Sequence, residues 1–220
     1  ARDLKRNLTY IHLSGRLAKL VYSMEATNTE FYAYQYKPVL SFLDSPSNGL
    51  LIADEVGLGK TIEAGLIWTE LRVRFDSRRL LVVCPAMLRE KWKAELNERF
   101  GVEAEILDAG GLLAELQKDK NTIPDGRAIV ASIQGLRPPR GWQEESKTQS
   151  TAAQLAKFLD QSSSNEPLVD LMIIDEAHYL RNPETQTARL GQLLRAVCEN
   201  VLLLSATPIN LREDDLFHLL

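Results

Sequence analysis

The architecture of this chain can be inferred from one stretch, Leu51-Ile52-Ala53-Asp54-Glu55-Val56-Gly57-Leu58-Gly59-Lys60-Thr61. It begins as an apolar strand, turns at two glycines, and opens a helix at Lys60-Thr61. Such a unit directs several backbone N–H groups and a helix N-terminus at one point, which suits a polyphosphate anion. The stretch therefore predicts a nucleotide site at the end of a buried strand. A glycine-rich turn without a ligand is the alternative.

The chemistry of a nucleotide site can be assigned within this loop. Lys60 would bring a positive charge to the β- and γ-phosphates, and the Thr61 hydroxyl would hold Mg²⁺. The general pattern is G-x-x-x-x-G-K-[ST], but Asp54 stands here at its first position. The predicted nucleotide-binding residues of the loop are Asp54, Gly57, Leu58, Gly59, Lys60 and Thr61.

A second motif follows the continuous apolar run at residues 171–174, which is typical of a strand buried on both faces. Asp175-Glu176-Ala177-His178 comes directly after it. In an open parallel sheet the carboxyl ends of the strands form the ligand site, so both carboxylates would face the phosphate loop. Asp175 is then predicted to reach Mg²⁺ through a water molecule, and Glu176 to orient and deprotonate the attacking water. The alternative is an acidic N-cap after a core strand.

A third motif, Ser205-Ala206-Thr207-Pro208, follows another apolar run at residues 201–204. Its hydroxyls would lie beside the carboxylates, where they could sense the γ-phosphate and relay its state to a moving element. A polar turn that merely ends a strand has the same composition.

In this order the phosphate loop, D-E-A-H and S-A-T-P resemble the first motor lobe of superfamily-two helicases. Asp54 in place of the first glycine is similar to the Swi/Snf-type branch of ATP-driven DNA translocases. The continuation at residues 62–66, Ile-Glu-Ala-Gly-Leu, resembles bacterial members of that branch, among them the ATPase that recycles RNA polymerase. The resemblance covers residues 31–220.

The resemblance implies a RecA-like α/β fold with a mostly parallel sheet and helices on both faces. It implies an ATPase in which Lys60, Asp175 and Glu176 are catalytic, Thr61 and Asp175 bind Mg²⁺, and His178, Ser205 and Thr207 couple hydrolysis to motion. The implied partners are duplex DNA, a second RecA-like lobe, and RNA polymerase or another DNA-bound protein. The implied location is the cytoplasm of a bacterium, at the nucleoid.

Gln35 lies upstream of the loop, as the adenine-reading glutamine of the family does. Its amide can donate and accept a hydrogen bond together, which matches the adenine edge. An ordinary polar residue on a surface helix is the alternative. One of the nearby tyrosines, Tyr32, Tyr34 and Tyr36, could stack on the base.

Two further strands end in segments that resemble the family's nucleic-acid motifs. Pro85 and Arg89 follow the first, where a helix start could bind a backbone phosphate. Ser132 and Gln134 follow the second and could bond phosphates in the same way. Trp92 lies among the basic residues of the first segment, but the amphipathic pattern of helix 86–99 favours a core position for its side chain.

Composition narrows the class of protein. Apolar strands alternate with amphipathic segments about five times in 220 residues, which predicts one α/β domain. The net charge of −4 is unlike that of a dedicated nucleic-acid-binding domain. The chain has neither an apolar run long enough to cross a membrane nor a signal-like start. Cys84 and Cys198 are expected to be reduced core residues.

The domain organisation is predicted as a helical lead-in at residues 1–30 and a first motor lobe at residues 31–220, with an insertion at residues 137–168. The lead-in carries one apolar helical face, and the insertion contains an amphipathic helix around Leu155 and Leu159. A second lobe, which would supply arginines to the reacting phosphate, is expected outside this chain. We therefore expect the isolated chain to bind ATP weakly and to hydrolyse it hardly at all.

Three other functions share part of this pattern. An RNA helicase or single-strand DNA helicase would use the same catalytic residues. A non-hydrolysing scaffold lobe is disfavoured by the intact Lys60, Asp175 and Glu176. A kinase or GTPase with a phosphate loop is disfavoured because the D-E-A-H and S-A-T-P motifs occur together.

Overall fold

The structure is a computed structural model that describes residues 32–45, 47–55, 57–119, 122–123, 127–144, 150–163 and 166–206. The helix predicted within residues 1–30 lies outside the described residues, and so does Thr207.

A six-stranded sheet forms the centre of the described domain, and every neighbouring pair of its strands is parallel. The strands lie in the order β1-β6-β5-β2-β4-β3. Their bounds are β1 Gly49–Ile52, β2 Leu80–Cys84, β3 Glu103–Leu107, β4 Arg127–Ser132, β5 Val169–Ile174 and β6 Cys198–Leu204. Because all the strands are parallel, the segments that follow β1, β6, β5, β2 and β4 meet at one edge of the sheet.

Seven α-helices are present in the described ranges. Their bounds are α1 Tyr36–Leu43, α2 Lys60–Phe75, α3 Arg89–Phe100, α4 Ala109–Leu116, α5 Ile133–Leu136, α6 Thr151–Ser162 and α7 Gln186–Arg195. Short polar residues begin several of them: the side chains of Asp108, Ser150 and Thr185 accept hydrogen bonds from backbone N–H groups of the first turn.

The core lies on both faces of the sheet because successive residues of each buried strand point to opposite sides. On β2, Leu80 and Val82 face helices α1, α2 and α3, while Leu81 and Val83 face helices α4 to α7. All five residues of β2 are buried. The predicted fold class, a parallel α/β sheet with helices on both faces, is therefore confirmed.

The amphipathic helix expected within residues 137–168 is α6. It buries Ala153, Leu155 and Leu159 in the same core as the sheet and packs against α4. Whether the surrounding segment is an insertion stays a prediction. No helix in the described ranges is long and apolar enough to cross a membrane.

A buried polar cluster joins the amino ends of the strands, opposite the phosphate loop. The Asp170 carboxylate accepts hydrogen bonds from the backbone N–H groups of Arg78 and Arg79, at 2.7 and 2.8 Å. The Arg79 guanidinium, buried beside them, donates to the backbone oxygens of Leu168, Glu115 and Lys118. The Arg79 side chain thus has a structural role at this end of the sheet.

Candidate active site

A cleft of about 340 Å³ opens at the carboxyl edge of the sheet. Three predicted motifs line it together: the phosphate loop after β1, the D-E-A-H segment after β5 and the S-A-T-P segment after β6. Helix α3 forms another wall. The lining residues are Gly57, Gly59, Lys60, Thr61, Ile62, Leu88, Lys91, Glu95, Asp175, Glu176 and Ala206. These motifs come from distant parts of the chain, between residues 57 and 206. They lie together because the strands are parallel and end at the same edge of the sheet.

The phosphate loop has the backbone geometry that its glycines allow. Gly57 and Gly59 both have positive φ, +93° and +98°, a region that residues with a Cβ rarely adopt. The Lys60 ammonium donates to the backbone oxygens of Asp54 and Glu55, at 2.7 and 3.0 Å. These carbonyl oxygens have no formal charge, so the loop holds a cation whose charge is available to an anion in the cleft.

Gln35 and Tyr34 contact this loop, and Tyr32 packs beside them. The Gln35 side chain is buried over Gly59, and its Oε1 accepts a hydrogen bond from the Tyr32 backbone N–H at 3.2 Å. The Tyr34 hydroxyl donates to the Leu58 carbonyl at 3.3 Å, and the Tyr34 ring stacks on Tyr32. The segment predicted to read adenine therefore contacts the phosphate loop directly, while adenine reading itself stays a prediction.

Asp175 is held by three hydrogen bonds at the end of β5. Its backbone N–H donates to the Val83 carbonyl at 2.9 Å. Its Oδ1 accepts from the Glu176 N–H, and its Oδ2 accepts from the indole N–H of Trp92, both at 2.9 Å. Trp92 is buried, as the amphipathic pattern predicted, but its bond to Asp175 was not foreseen. The only signal in the sequence was an indole N–H, a group that usually has a hydrogen-bond partner when it is buried.

The structure describes two of the three residues that were predicted to couple hydrolysis to motion. His178 places Nδ1 3.1 Å from Glu176 Oε2, and its ring packs on Tyr179 with centroids 4.4 Å apart. Ser205 is fully buried, and its backbone N–H donates to the Ile52 carbonyl at 3.0 Å, just before the phosphate loop. Thr207 lies outside the described residues. His178 thus contacts Glu176 and Ser205 contacts the end of β1, and their coupling role stays a prediction.

Glu63, in the first turn of α2, was not predicted from the sequence to be a residue of the site. Its side chain is buried, and neither carboxylate oxygen has a hydrogen-bond partner in the described part of the chain. Burial, assisted by the negative charge of Asp54 and opposed by Lys60, raises the pKa of Glu63 to about 7. A signal was present, because this glutamate lies one helical turn before the apolar residues Leu66 and Ile67.

The four nucleic-acid candidates lie together at the carboxyl ends of β2 and β4, where Cys84 and Ser132 are register partners. Gln134 Oε1 accepts a hydrogen bond from the Ala86 N–H at 3.2 Å, so one N–H that was expected to face a phosphate already has a partner. Ser132 caps α5 by accepting from Gly135 N–H. Pro85 is buried, and Arg89 Nε donates to the Ala86 carbonyl. The assignment of these four residues to nucleic acid stays a prediction.

The donors in the cleft fit Mg²⁺. Thr61, Asp175 and Glu176 line it with a hydroxyl and two carboxylates, and hard oxygen ligands of this kind are what Mg²⁺ takes. The turn at Gly59 and the Lys60 ammonium beside them suit the phosphates that usually share the ion.

The chain belongs to the SNF2-related domain family, whose family model matches residues 16–220. Such domains are ATPase motor domains, which agrees with the nucleotide site inferred from the cleft. The resemblance to the Swi/Snf-type branch is therefore confirmed.

Among individual relatives, the chain is similar to the RNA polymerase-associated protein RapA of Stutzerimonas stutzeri (strain A1501). The two are 31% identical over 212 residues, which cover 95% of this chain and 20% of that protein. RapA of Photobacterium profundum is 33% identical over 171 residues, covering 76% of this chain and 16% of that protein. The chain thus spans about a fifth or less of the length of these relatives.

Solved structures share the fold at low sequence identity. The SWI2/SNF2 ATPase core of Sulfolobus solfataricus in complex with dsDNA superposes with a TM-score of 0.60 and 20% identity, covering 88% of this chain and 36% of that one. The same core domain without DNA gives a TM-score of 0.58, also at 20% identity, covering 88% and 34%. These matches support the RecA-like architecture.

Proposed function

We propose that this chain is the ATP-binding lobe of a motor that hydrolyses ATP to move on duplex DNA or to remodel protein–DNA complexes. One observation supports this most directly: the phosphate loop, both D-E-A-H carboxylates and Ala206 line a single cleft. A glycine-rich turn alone, or an acidic cap alone, would not require the others to be present.

Each residue has a proposed part in the reaction. Lys60 leaves the carbonyls of Asp54 and Glu55 to contact the β- and γ-phosphates, while Gln35 recognises the base. Thr61 and Asp175 hold Mg²⁺, which neutralises charge on the phosphates when it is bound. Glu176 orients the attacking water and accepts its proton.

A second lobe completes the proposed site. The cleft volume of about 340 Å³ lies near the lower end of the roughly 300–1,000 Å³ typical of small-molecule sites. A second RecA-like lobe closing over the cleft would exclude water and supply an arginine to the transferring phosphoryl group, a contribution of about 10³–10⁵ in rate. The isolated chain is therefore proposed to bind ATP weakly and to turn it over very slowly.

Duplex DNA is the proposed track. The dsDNA in the complex of the Sulfolobus core supports it, although that match shows only the fold. The name of the RapA relatives, which associates them with RNA polymerase, supports a DNA-bound protein of that kind as the object displaced. The negative net charge of this lobe requires that much of the DNA affinity come from elsewhere in the motor.

The decisive experiment measures ATPase activity of the full-length protein without nucleic acid and with duplex DNA, single-stranded DNA or RNA. Glu176→Gln keeps the size of the side chain and removes the base, so it should abolish turnover while nucleotide binding persists. Glu184→Gln, on the exposed turn before α7, is the matched control and should hydrolyse ATP like the unchanged protein.

The outcomes separate the candidate functions. Strong stimulation by duplex DNA supports the translocase. Stimulation only by RNA or by single strands moves the protein to the helicases. Absence of hydrolysis under every condition, with nucleotide binding retained, indicates a scaffold lobe.

A further inference from the structure

The hydrogen bond between Trp92 and Asp175 links two segments that the sequence assigns to different tasks. Trp92 belongs to α3, the helix that follows the nucleic-acid candidates Pro85 and Arg89. Asp175 belongs to the catalytic segment after β5. The two residues are 83 positions apart, and the indole nitrogen lies 2.9 Å from Asp175 Oδ2.

Both partners are fixed by their surroundings. The Trp92 side chain is 2% exposed and packs in the core between the sheet and helices α1 to α3. Because an indole is a rigid plane, its N–H direction follows the position of α3. On Asp175, Oδ1 already accepts the Glu176 N–H, so the bond from Trp92 to Oδ2 leaves the carboxylate with one donor on each oxygen. Each oxygen retains a lone pair for a ligand in the cleft.

The same helix also lines the cleft directly. Its N-cap residue Leu88 and its polar residues Lys91 and Glu95 lie there, at the spacing of one helix face. The turn before α3 is tied to the neighbouring nucleic-acid candidate, since the Ala86 N–H donates to Gln134. A shift of α3 would therefore change the cleft wall and the Asp175 carboxylate together.

We propose that Trp92 is a positioning residue for Asp175: its indole N–H orients the carboxylate that holds Mg²⁺, and so makes metal binding depend on the position of α3. This inference rests on the proposed function and adds to it a residue that touches neither nucleotide nor DNA. Partners that orient a metal ligand commonly contribute about 10- to 100-fold to metal affinity.

The chain offers a matched control for this idea. Trp68, in α2, is also fully buried, but its indole nitrogen has no hydrogen-bond partner in the described part of the chain. Trp92→Phe and Trp68→Phe thus remove the same atoms from two buried sites, and only the first removes a bond to a carboxylate. Thermal unfolding of both variants reports the packing cost that they share.

The first measurement is ADP binding by calorimetry across a Mg²⁺ titration. For Trp92→Phe we expect the Mg²⁺ concentration at half-maximal effect to rise about 10- to 100-fold, with ADP affinity unchanged when Mg²⁺ is absent. Trp68→Phe should match the unchanged chain in both respects. In the full-length protein, high Mg²⁺ should restore the ATPase rate of Trp92→Phe, because a binding defect raises KM for the ion and leaves kcat intact. Equal behaviour of the two variants, or equal loss of ADP affinity with and without Mg²⁺, overturns the inference.

A second measurement needs no folded Trp92 variant. The chain has three tryptophans, and ¹⁵N labelling of their indoles gives one N–H resonance each, assigned with Trp68→Phe and Trp142→Phe. We expect the Trp92 resonance to shift when Mg²⁺ is added to the ADP-bound chain and the Trp68 resonance to stay in place. A Trp92 resonance that ignores Mg²⁺ contradicts the inference. If the unchanged chain shows no Mg²⁺-dependent ADP binding at all, the proposed function fails as well, whereas a normal Mg²⁺ response with equal Trp variants overturns the inference alone.

Discussion

The amide of Gln35 occupies the place that a side chain at Gly59 would need. Its Nε2 lies 2.5 Å from the position of a Cβ built on Gly59, closer than real Cβ atoms approach. Gly57, two residues earlier, also has a positive φ, but a Cβ at Gly57 would have no atom within 4 Å. The two loop glycines therefore differ: both relieve backbone strain, and only Gly59 also makes room for another segment.

Alanine substitutions should separate these two requirements. Gly57→Ala carries only the strain of a left-handed residue, about 1–2 kcal/mol. Gly59→Ala carries a similar strain and must also displace the Gln35 amide. It should therefore weaken ADP binding more than Gly57→Ala does. A double-mutant cycle with Gln35→Ala, measured by calorimetry, should show non-additive losses at Gly59 and additive losses at Gly57. Additivity at both glycines would mean that the contact has no energetic consequence.

Asp170 should prove structural and not functional. Asp170→Ala leaves the N–H groups of Arg78 and Arg79 without their carboxylate acceptor, at a cost of about 2–4 kcal/mol in the free energy of unfolding. Urea denaturation measures this loss. Glu105→Ala, which removes an exposed ion pair with Arg127, is the control and should change stability little. ADP affinity of the folded Asp170 variant should be unchanged, and a parallel fall in affinity would show that the cluster communicates with the cleft.

Gly65 should not tolerate a methyl group. Glycine inside a helix usually gains about 0.5–1 kcal/mol on replacement by alanine, but a Cβ at Gly65 would overlap the ring of Phe100. We therefore expect Gly65→Ala to destabilise the chain by about 1–3 kcal/mol. Gly110→Ala, in α4, meets its nearest atoms at 3.5 Å and should be neutral or stabilising. Phe100→Leu should recover part of the Gly65→Ala loss, and stability equal to that of Gly110→Ala would show that the helix shifts freely.

The buried Glu63 predicts a pH dependence of stability in the nucleotide-free chain. Its pKa is raised from the ordinary 4.5 to about 7, so the native state holds a proton that the unfolded state has released between these values. Stability should therefore fall as the pH rises through this window. Glu63→Gln lacks this loss and should be more stable than the unchanged chain at pH 8, by roughly 1–3 kcal/mol, with a small difference at pH 5. Urea unfolding at both pH values is the measurement.

Glu70 provides the opposite control on the same helix. It is also buried but is paired with Arg74 at 2.7 Å, so Glu70→Gln should lower stability at pH 8. Equal changes in stability for Glu63→Gln and Glu70→Gln at pH 8 would contradict the distinction between these two buried carboxylates.

Local pattern was sufficient for the fold class and for the place of the phosphate loop. Apolar runs such as residues 171–174 mark strands buried on both faces, and glycines followed by Lys60-Thr61 mark a strand-to-helix turn. From these, a parallel sheet follows, and with it the meeting of Lys60, Asp175 and Ser205 at one edge. This reasoning works because parallel strands align their carboxyl ends whatever their order in the sheet.

The pattern could not assign partners to buried polar groups. Trp92 and Asp170 are 83 and 91 positions from the residues that they bond, Asp175 and Arg79. Glu63 is buried with no partner in the described chain, a state that composition alone argues against. The bonds of Trp92 and Asp170 both depend on the strand order β1-β6-β5-β2-β4-β3, which brings β2 beside β5.

Residue type and spacing therefore determined which chemical groups follow each strand and at which end of the sheet they lie. Both can be inferred from the period of a strand and the geometry of the turn after it. Tertiary structure decided which groups form a hydrogen bond with each other, which glycines have no room for a side chain, and which ionisable group is buried. Those relations depend on distances of a few ångströms between segments far apart in the chain, and packing of the helices against the sheet sets these distances.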